Sequence, residues 1–415
     1  MKIAIVGSGI AGLICAYLLN RQHDIQVFEA SDWIGGHTHT VDVQVEGRSY
    51  AIDTGFIVFN DWTYPNFIRL LEQIGVGFKP TEMSFSVSDP ATGVEYNGHD
   101  LNTLFAQRSN LLSPAFWGML RDILRFNRQA LDDLANNRIS ADTTLGQYLD
   151  SNGYGRRFIE HYIVPMGSAI WSMSLADMLG FPLQFFVRFC KNHGLLSVSD
   201  RPTWQVIEGG SRSYVAPLTA SFAERIRLNC PVSRVVRDQD GVTLHSAAGS
   251  ERFDKVIFAC HSDQALALLE QPSEQERDIL GALPYANNDV VLHTDTRLLP
   301  KRKLAWASWN YRLGGPTDQP AAVTYNMNIL QGIDSDTTFC VSLNQTAAID
   351  PSKILARFQY AHPQYSLAGT AAQARWEELL GAQHTYYCGA YWANGFHEDG
   401  VVSALRVARA FGETL

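Results

Sequence analysis

The chain has 415 residues, of which 46% are hydrophobic and 18% are charged, and its formal net charge is −9 at pH 7. This composition is typical of a globular protein and excludes a fibrous or largely disordered chain. The acidic balance, without a block of lysine or arginine, argues against nucleic acid as a partner, because phosphate binding requires a basic surface. At about 150 residues per domain, the length predicts two or three domains.

Six cysteines lie scattered along the chain, without the spacing typical of a disulfide framework or a zinc site. Their apolar neighbours indicate reduced thiols in the core. Beyond the N-terminus no apolar stretch has the length of a membrane-spanning helix, and no group of residues has the spacing of metal ligands. We therefore expect a cytoplasmic enzyme without a metal site, and the sequence leaves its oligomeric state open.

The first thirty residues predict a strand, a glycine-rich turn, a helix and a second strand in immediate succession. The β-rich run 2–6 leads into GSGIAG at residues 7–12, helical apolar spacing follows, and the second apolar run ends at Glu29. This is the βαβ dinucleotide fingerprint, in which the terminal acid accepts hydrogen bonds from the adenosine ribose and disfavours a 2′-phosphate. An export signal is the alternative, but no small-residue cleavage site precedes the charged residues 21–24.

Each position of the fingerprint has a steric or electrostatic role. Gly7 permits the tight turn out of the strand, Gly9 lets the backbone approach a pyrophosphate, and Gly12 lets the helix pack closely on the strand. The amides at the helix start, around Ile10 and Ala11, hold the negative charge of the diphosphate.

Two further glycine-containing elements follow the fingerprint. The first is a double glycine with two polar residues after it, in the order Gly35, Gly36, His37 and Thr38. The second comes after a predicted strand pair and begins with an acid, in the order Asp53, Thr54, Gly55, Phe56 and Ile57. With these elements the chain resembles the flavin amine oxidase and phytoene desaturase superfamily, in which a double glycine follows the fingerprint and a D-x-G element leads to the flavin.

The resemblance implies that the protein binds FAD without a covalent bond. It places Gly35 and Gly36 against the diphosphate and the ribityl chain, and it places Gly55–Ile57 along the isoalloxazine. His37 stands where many members of the superfamily have an arginine, and its imidazole can still donate a hydrogen bond to the cofactor.

Two later segments fit the same pattern. The segment 226–236 contains Val232, whose backbone the resemblance places at the adenine. Near the C-terminus, residues 386–411 predict a strand, a loop and a helix. There the resemblance places three residues at the flavin carbonyl, where a helix start stabilises the negative charge of a reduced flavin: Asp399, Gly400 and Val401.

The C-terminal segment departs from the family pattern. The family has an acid directly after the glycine that corresponds to Gly389, whereas this chain has Ala390, so the carboxylate contact to the ribityl hydroxyls is missing unless Glu398 or Asp399 supplies it. Cys388 precedes that glycine. A thioether to the flavin is an alternative there to the buried strand thiol that the spacing favours.

The elements assigned to the cofactor lie in three separate parts of the chain. We expect a discontinuous FAD-binding domain of residues 1–80, 200–264 and 380–415, and a substrate domain of residues 81–199 and 265–379. The first insertion has helical apolar spacing, and the second contains strands of alternating polarity. The predicted fold class is α/β, with a Rossmann-like domain and an α+β substrate domain that carries a mixed sheet and a helical cap.

An aromatic segment that is poor in charge lies near the end of the first insertion. The superfamily has a similar segment beside its substrate tunnel, so five residues are candidates for an apolar channel wall, with ordinary cap core as an equal alternative: Tyr162, Trp171, Phe181, Phe185 and Phe186. Tyr391 or, alternatively, Trp392 is a candidate for an aromatic residue that frames the flavin. The catalytic residue is left unassigned, because the twelve histidines do not cluster in the sequence and no triad or metal motif is present.

The motifs GGHTHTV, DTGFIVFN and GFHEDG together resemble a group of bacterial FAD-binding proteins and the N-terminal oxidase-like part of plant cyclopropane fatty-acid synthases. The resemblance implies an FAD-dependent oxidoreductase that takes a hydride from a C–H bond of an unsaturated or methyl-modified fatty-acyl chain. A flavin amine oxidase that produces hydrogen peroxide is one alternative, and an FAD-holding redox-neutral isomerase or scaffold is another. A lipid substrate also allows transient contact with a membrane surface.

Overall fold

The computed structural model describes residues 1–315 and 318–415. In chain order, the strands of this part are β1 (Lys2–Val6), β2 (Asp24–Phe28), β3 (Thr40–Val45), β4 (Arg48–Asp53), β5 (Val58–Asn60), β6 (Phe78–Pro80), β7 (Phe85–Asp89), β8 (Val94–Asn97), β9 (Trp204–Ile207), β10 (Ile226–Arg227), β11 (Val232–Asp238), β12 (Gly241–Ser246), β13 (Gly249–Phe253), β14 (Lys255–Phe258), β15 (Tyr285–His293), β16 (Trp309–Arg312), β17 (Val323–Asn326), β18 (Cys340–Leu343), β19 (Ile354–Pro363) and β20 (Thr385–Tyr387). The helices are α1 (Ile10–Leu19), α2 (Pro65–Gln73), α3 (Leu101–Leu104), α4 (Pro114–Ala135), α5 (Leu145–Ser151), α6 (Arg156–Phe158), α7 (Val164–Trp171), α8 (Leu175–Leu179), α9 (Leu183–Asn192), α10 (Val215–Thr219), α11 (Ser262–Leu268), α12 (Glu274–Gly281), α13 (Met327–Leu330), α14 (Leu367–Gln373) and α15 (His397–Ala410).

A parallel sheet of five strands, in the order β10-β2-β1-β14-β20, contains the fingerprint region. In its central strand, Ile3 and Ile5 pack in one core with α1 and α15, while Ala4 and Val6 pack on the opposite face in a second core. Burial on both faces explains why β1 is apolar along almost its whole length, as is typical of parallel sheets covered on both sides. The predicted Rossmann-like α/β fold is confirmed.

A mixed sheet of seven strands, in the order β19-β15-β18-β17-β16-β7-β8, forms the second large layer. β7 and β16 pair in parallel, and the other neighbours pair antiparallel. Helices α4 to α9 pack on this sheet, and Phe126, Phe158 and Phe186 share one core with Tyr96 and Val323 of the strands. The mixed sheet with a helical cap is therefore confirmed as well.

A small sheet joins the segment after β4 to the middle of the chain. β9 pairs antiparallel with both β5 and β6, which brings the turn at residues 208–211 next to the end of β4. There the buried carboxylate of Asp53 accepts hydrogen bonds from the backbone N–H of Ser211 at 2.8 Å and from the hydroxyl of Thr40 at 2.6 Å. These contacts fix the chain just before Gly55.

The parallel sheet takes its strands from residues 2–28, 226–258 and 385–387, whereas the strands of the mixed sheet lie between residues 85 and 363. The domain boundaries given above stay a prediction. In residues 1–315 and 318–415, no helix combines the length and the apolar character that crossing a bilayer requires.

Candidate active site

A cavity of about 810 Å³ lies at the carboxyl ends of β1, β2 and β14 and extends to the mixed sheet and the cap. Ligands of open α/β sheets bind at this edge, and the volume falls in the range of small-molecule and cofactor sites. The wall includes the fingerprint turn, the double-glycine turn, the start of α15, parts of β16, β17 and β19, and the end of α7.

The fingerprint glycines and the double glycine form one backbone surface at the start of α1. Gly7 has a φ of +106°, and a β-carbon there would lie 2.7 Å from the carbonyl oxygen of Ala259. A β-carbon on Gly12 would lie 2.0 Å from the oxygen of Gly7, and one on Gly36 would lie 3.2 Å from the α-carbon of Gly9. No side chain of the described residues caps the first turn of α1. A diphosphate fits this surface, since backbone can approach it closely and free amides point toward the anion.

Four of the fingerprint residues line the cavity, and one does not. Gly7, Gly9, Ile10 and Ala11 are part of the wall. Gly12 lies behind them, where its missing side chain allows α1 to contact the turn. Its role is the packing role that the sequence predicts, and no contact with the cofactor is expected.

Glu29 borders the cavity at the end of β2. Its Oε2 accepts hydrogen bonds from the backbone N–H of Ser8 at 2.8 Å and from the hydroxyl of Ser8 at 2.6 Å, and its Oε1 accepts one from the N–H of Ser31 at 2.8 Å. A carboxylate has about four acceptor sites, so a ribose hydroxyl can still bind. Val232 lines the same end of the cavity, as an adenine contact requires.

The predicted isoalloxazine region lies between the loop after β4 and the start of α15. Gly55, Phe56 and Ile57 line the cavity. A β-carbon on Gly55 would lie 2.3 Å from the carbonyl oxygen of His37, and the backbone N–H of Phe56 donates to that oxygen at 2.6 Å. The ring of Phe56 stacks on the ring of His397 with a centroid distance of 3.7 Å. This stacking contact joins the loop after β4 to the start of α15.

The C-terminal residues that line the cavity lie a few positions earlier in the chain than the sequence predicts. Asn394, Gly395, Phe396 and His397 line the cavity, whereas Asp399, Gly400 and Val401 do not. The carboxylate of Asp399 turns back and accepts hydrogen bonds from the backbone N–H groups of residues 394 and 396 at 3.1 and 2.9 Å. A β-carbon on Gly400 would lie 2.8 Å from a side-chain carbon of Ile10, and Val401 is buried in the core. The placement of these three residues at the flavin carbonyl does not fit this geometry.

Neither acid suggested as a replacement for the missing ribityl carboxylate faces the cavity. Asp399 holds the loop before α15, and Glu398 accepts hydrogen bonds from the backbone N–H groups of Asn66 and Phe67 at 3.1 and 2.8 Å. Gly389 and Ala390 themselves line the cavity.

Two other predicted residues lie outside the wall. The sulfur of Cys388 is 3.8 Å from the sulfur of Cys15 in the core between α1 and α15, so a thioether to a flavin in the cavity does not fit its position. The hydroxyl of Thr38 pairs with the hydroxyl of Tyr214 at 2.5 Å, away from the cavity.

The aromatic end of the cavity contains some of the predicted residues and several others. Trp171 and Tyr391 line it. The predicted wall residues Tyr162, Phe181, Phe185 and Phe186 belong to the core of the cap, because they pack on one another and on the helices behind Tyr365. Sequence reasoning missed five wall residues that the mixed sheet and its flanks supply: Trp309, Tyr325, Tyr360, His362 and Tyr365.

The histidines, scattered in the sequence, cluster in space. His37, His261, His362 and His397 all line the cavity. The ring centroid of His37 lies 6.4 Å from that of His261 and 5.5 Å from that of His362. Burial, with a contribution from His261, lowers the pKa of His37 to about 4. Burial also lowers the pKa of the other three histidines, so without a bound anion all four imidazoles are neutral near pH 7.

The family model described as flavin containing amine oxidoreductase matches residues 10–338. Together with the fold, this match defines an FAD-dependent oxidoreductase. The chain belongs to this family.

Solved structures with the same fold extend over nearly the whole chain. A putrescine oxidase double mutant matches with a TM-score of 0.69 and 14% identity, over 99% of this chain and 98% of its own. Cyclohexylamine oxidase from Brevibacterium oxydans matches with a TM-score of 0.66 and 17% identity, and a fatty acid isomerase from P. acnes matches with 0.69 and 15%, each over the same shares. No curated protein matches the sequence at a significant level.

Proposed function

We propose that the protein oxidises an uncharged hydrocarbon chain, most simply the fatty-acyl chain of an esterified lipid. The observation that carries the proposal is the composition of the cavity wall. At the end formed by the cap and the mixed sheet, the wall contains Ile170, Trp171, Trp309, Tyr325 and Tyr365. Aromatic and aliphatic surface binds an apolar ligand through the area that it removes from water.

In the part of the chain that the structure describes, the wall gives a charged substrate no carboxylate, lysine or arginine at that end. Among the described lining residues, Glu29 is the one acidic side chain, and it lies at the fingerprint. An amine substrate would have its ammonium group without a carboxylate, although aromatic faces can bind a cation. A free fatty-acid carboxylate would have no lysine or arginine to pair with, so an esterified chain fits better. The likeness to a fatty acid isomerase agrees with an acyl substrate.

The expected reaction is a two-electron oxidation of the chain. In the net reaction, the chain would lose a hydride and a proton from neighbouring carbons and gain a carbon–carbon double bond, the proton ending in the bulk solvent. FAD would supply the acceptor for the hydride, and dioxygen or another oxidant would take up the two electrons. The residues of this chain hold the alkyl segment against aromatic rings and keep water away from the reacting carbon.

Anaerobic reduction of the protein-bound flavin tests this proposal. Phospholipids that share one headgroup and differ in chain unsaturation are compared with a diamine and an aromatic amine. Loss of flavin absorbance with one of the lipids, and not with the amines, is the expected result. Reduction by amines alone would favour the amine oxidase alternative, and a changed acyl chain without net reduction would favour the redox-neutral isomerase.

We also propose that the cap contacts a lipid surface when it collects its substrate. Trp117, Arg121, Leu124 and Arg128 lie on one solvent-facing side of α4, at positions i, i+4, i+7 and i+11. Leu124 is 58% exposed, and Leu112 in the preceding turn is 88% exposed. In an acidic chain, exposed apolar groups beside arginines are complementary to an anionic bilayer.

We also propose the discontinuous division into FAD-binding and substrate domains, because different sheets bound the two ends of the cavity. The fingerprint end of the cavity is bounded by the parallel sheet and its turns, and the aromatic end is bounded by the mixed sheet and α7. Limited proteolysis tests this division, since cleavage is expected first in exposed connections between the two parts.

A further inference from the structure

We call the backbone surface formed by Gly7, Gly9 and Gly36 the phosphate cradle, and among the described residues the part of the cavity next to it contains no permanent positive charge. Among the described lining residues none is a lysine or an arginine, and Glu29 adds a negative charge. The diphosphate of FAD is an anion at neutral pH. Backbone amides stabilise such an anion, but they add no full positive charge. Histidine is the one residue type of this wall that can become a cation.

Two histidines, His37 and His261, lie beside the cradle, and His362 lies next to His37 on the side of the mixed sheet. His37 directly follows Gly36, whose β-carbon position is 3.2 Å from the α-carbon of Gly9. His261 lies two residues after Ala259, whose oxygen is in contact range of Gly7. His362, on β19, has its ring centroid 5.5 Å from that of His37. All three side chains line the cavity.

The hydrogen bonds of these rings leave nitrogen atoms free to face an anion. The Nε2 of His37 is buried and has no hydrogen-bond partner in the described residues. The Nδ1 of His362 lies 2.9 Å from the hydroxyl of Ser172 and 3.2 Å from the amide nitrogen of Asn288. An amide NH₂ donates, so Nδ1 accepts and the proton of the neutral ring lies on Nε2.

We propose that His37, assisted by His261 and His362, provides the positive counter-charge for the FAD diphosphate, so that binding of FAD takes up protons at these imidazoles. The inference depends on FAD occupying the cavity and not on the identity of the substrate. By linkage, an anion that favours the protonated rings must itself bind more tightly when protons are abundant.

The direction in which pH changes the affinity for FAD follows from the histidine pKa values of the FAD-free and the FAD-bound protein. Without a bound anion, burial lowers the pKa of His37 and of His261 to about 4 and that of His362 to about 3. A bound anion raises these values toward or above neutrality. The dissociation constant of FAD should therefore rise with pH between the pKa of the FAD-free ring and that of the FAD-bound ring, by up to about tenfold per pH unit for one proton, and should level off above the pKa of the bound state.

The other titratable groups around the three rings are a small set: Glu29, Cys260, Asp263, Tyr285, Tyr360, Tyr365, His397 and Asp399. Burial raises the pKa of Cys260 and of the three tyrosines, so they stay neutral near pH 7. The ring of His397 already bonds to the hydroxyl of Tyr214 at 2.9 Å. Burial raises the pKa of Asp399 to about 6, but its carboxylate faces residues 394 and 396 instead of the cavity.

Titration of the FAD-free protein with FAD tests the proposal without any substrate. Flavin fluorescence gives the dissociation constant from about pH 6 to about pH 8, the range in which histidine titrates. Calorimetry in buffers of different ionisation enthalpy counts the protons taken up. In the wild type we expect weaker binding at higher pH and a buffer-dependent heat. A dissociation constant independent of pH together with a buffer-independent heat would overturn the proposal, even if no variant folds.

Three variants assign the proton uptake to a residue. His37→Gln should bind FAD more weakly at low pH and take up fewer protons. His37→Arg carries a permanent charge, so it should keep tight binding at high pH and lose most of the pH dependence. His39→Gln is the matched control, because His39 lies two residues away, stacks on Trp33 and does not line the cavity. An unchanged pH dependence in His37→Arg would assign the titration to another group, such as Asp399, and refute the role of His37.

Discussion

Alanine in place of two different fingerprint glycines should damage two different properties of the protein. Gly12→Ala places a methyl group 2.0 Å from the carbonyl oxygen of Gly7 and 3.1 Å from the side chain of Ala259. Gly9→Ala places a methyl group in a position with no protein atom within 4 Å, at a backbone φ of −65° that alanine adopts without strain. The first change should damage folding, and the second should damage cofactor binding.

The magnitudes follow from these distances. For ordinary contact at 3.4 Å, the methyl group of Gly12→Ala must move α1 away from the turn by about 1.4 Å. Overpacking of this kind costs about 1–3 kcal/mol of folding free energy, and the better helix propensity of alanine offsets about 1 kcal/mol. Gly9→Ala should change the stability by about 0.5 kcal/mol, the scale of a helix N-cap change. Its methyl group occupies the surface where a diphosphate approaches, so FAD affinity should fall at least about tenfold, which is about 1.4 kcal/mol.

Thermal unfolding of the FAD-free variants and fluorescence titration with FAD separate the two effects. Gly12→Ala should unfold at a lower temperature than the wild type, while Gly9→Ala should unfold with the wild type and bind FAD poorly. The reasoning is refuted if Gly9→Ala binds FAD with unchanged affinity, or if Gly12→Ala is as stable as the wild type.

Three more predictions concern the core, the loop before α15 and the surface of the cap. Burial raises the pKa of Asp53 to about 6. The carboxyl group therefore binds its proton more tightly in the folded than in the unfolded protein. Its contribution to the free energy of unfolding is present below about pH 4 and is lost as pH rises through about 6. Asp53→Asn should therefore flatten the dependence of the unfolding temperature on pH in that window, and a curve parallel to the wild type contradicts this. Trp171→Phe keeps most of the ring packing and loses the hydrogen bond from Nε1 to the oxygen of Asn394, which is 3.2 Å long, so it should cost about 1 kcal/mol, against about 3–5 kcal/mol for Trp171→Ala. A Trp171→Phe variant that unfolds at the same temperature as the wild type would argue against the bond. The double variant Trp117→Ala/Arg121→Gln should sediment less with anionic vesicles, by about 1 kcal/mol for the lost arginine alone, and binding unchanged by the substitutions or by salt would exclude this face.

Features that depend on a short stretch of chain were predictable from the sequence. The turn at Gly7, the helix after it and the acid at the end of β2 follow from local sterics and hydrogen bonding, and they occur where the pattern indicates. Strands β15, β17 and β18 also form where the alternating polarity predicts them. Their burial on both faces, complete for β18, was not evident from that pattern.

Features that depend on how distant segments pack were not predictable in the same way. The residues at the start of α15 were assigned by analogy to 399–401, but Gly400 packs against Ile10 and Asp399 folds back, so residues 394–397 face the cavity. No local pattern shows which of the two segments, 394–397 or 399–401, faces the cavity, since both contain a glycine and polar residues.

The wall residues of β19 show a signal that could have been used. Phe358, Tyr360 and His362 recur with a period of two, which places them on one face of a strand. The sequence does not say which face meets the cavity, because that depends on the pairing of β19 with β15 at the edge of the mixed sheet. The clustering of His362 with His37 likewise arises only from the tertiary fold.

A crystal structure of the protein with bound FAD tests the central claim most directly. We predict the ribose hydroxyls at Glu29, the diphosphate against Gly9 and His37, and the isoalloxazine between Gly55 and His397, with the aromatic end left open for an acyl chain. FAD bound with its diphosphate away from α1, or with its ring system filling the space beside Trp171, would contradict the account.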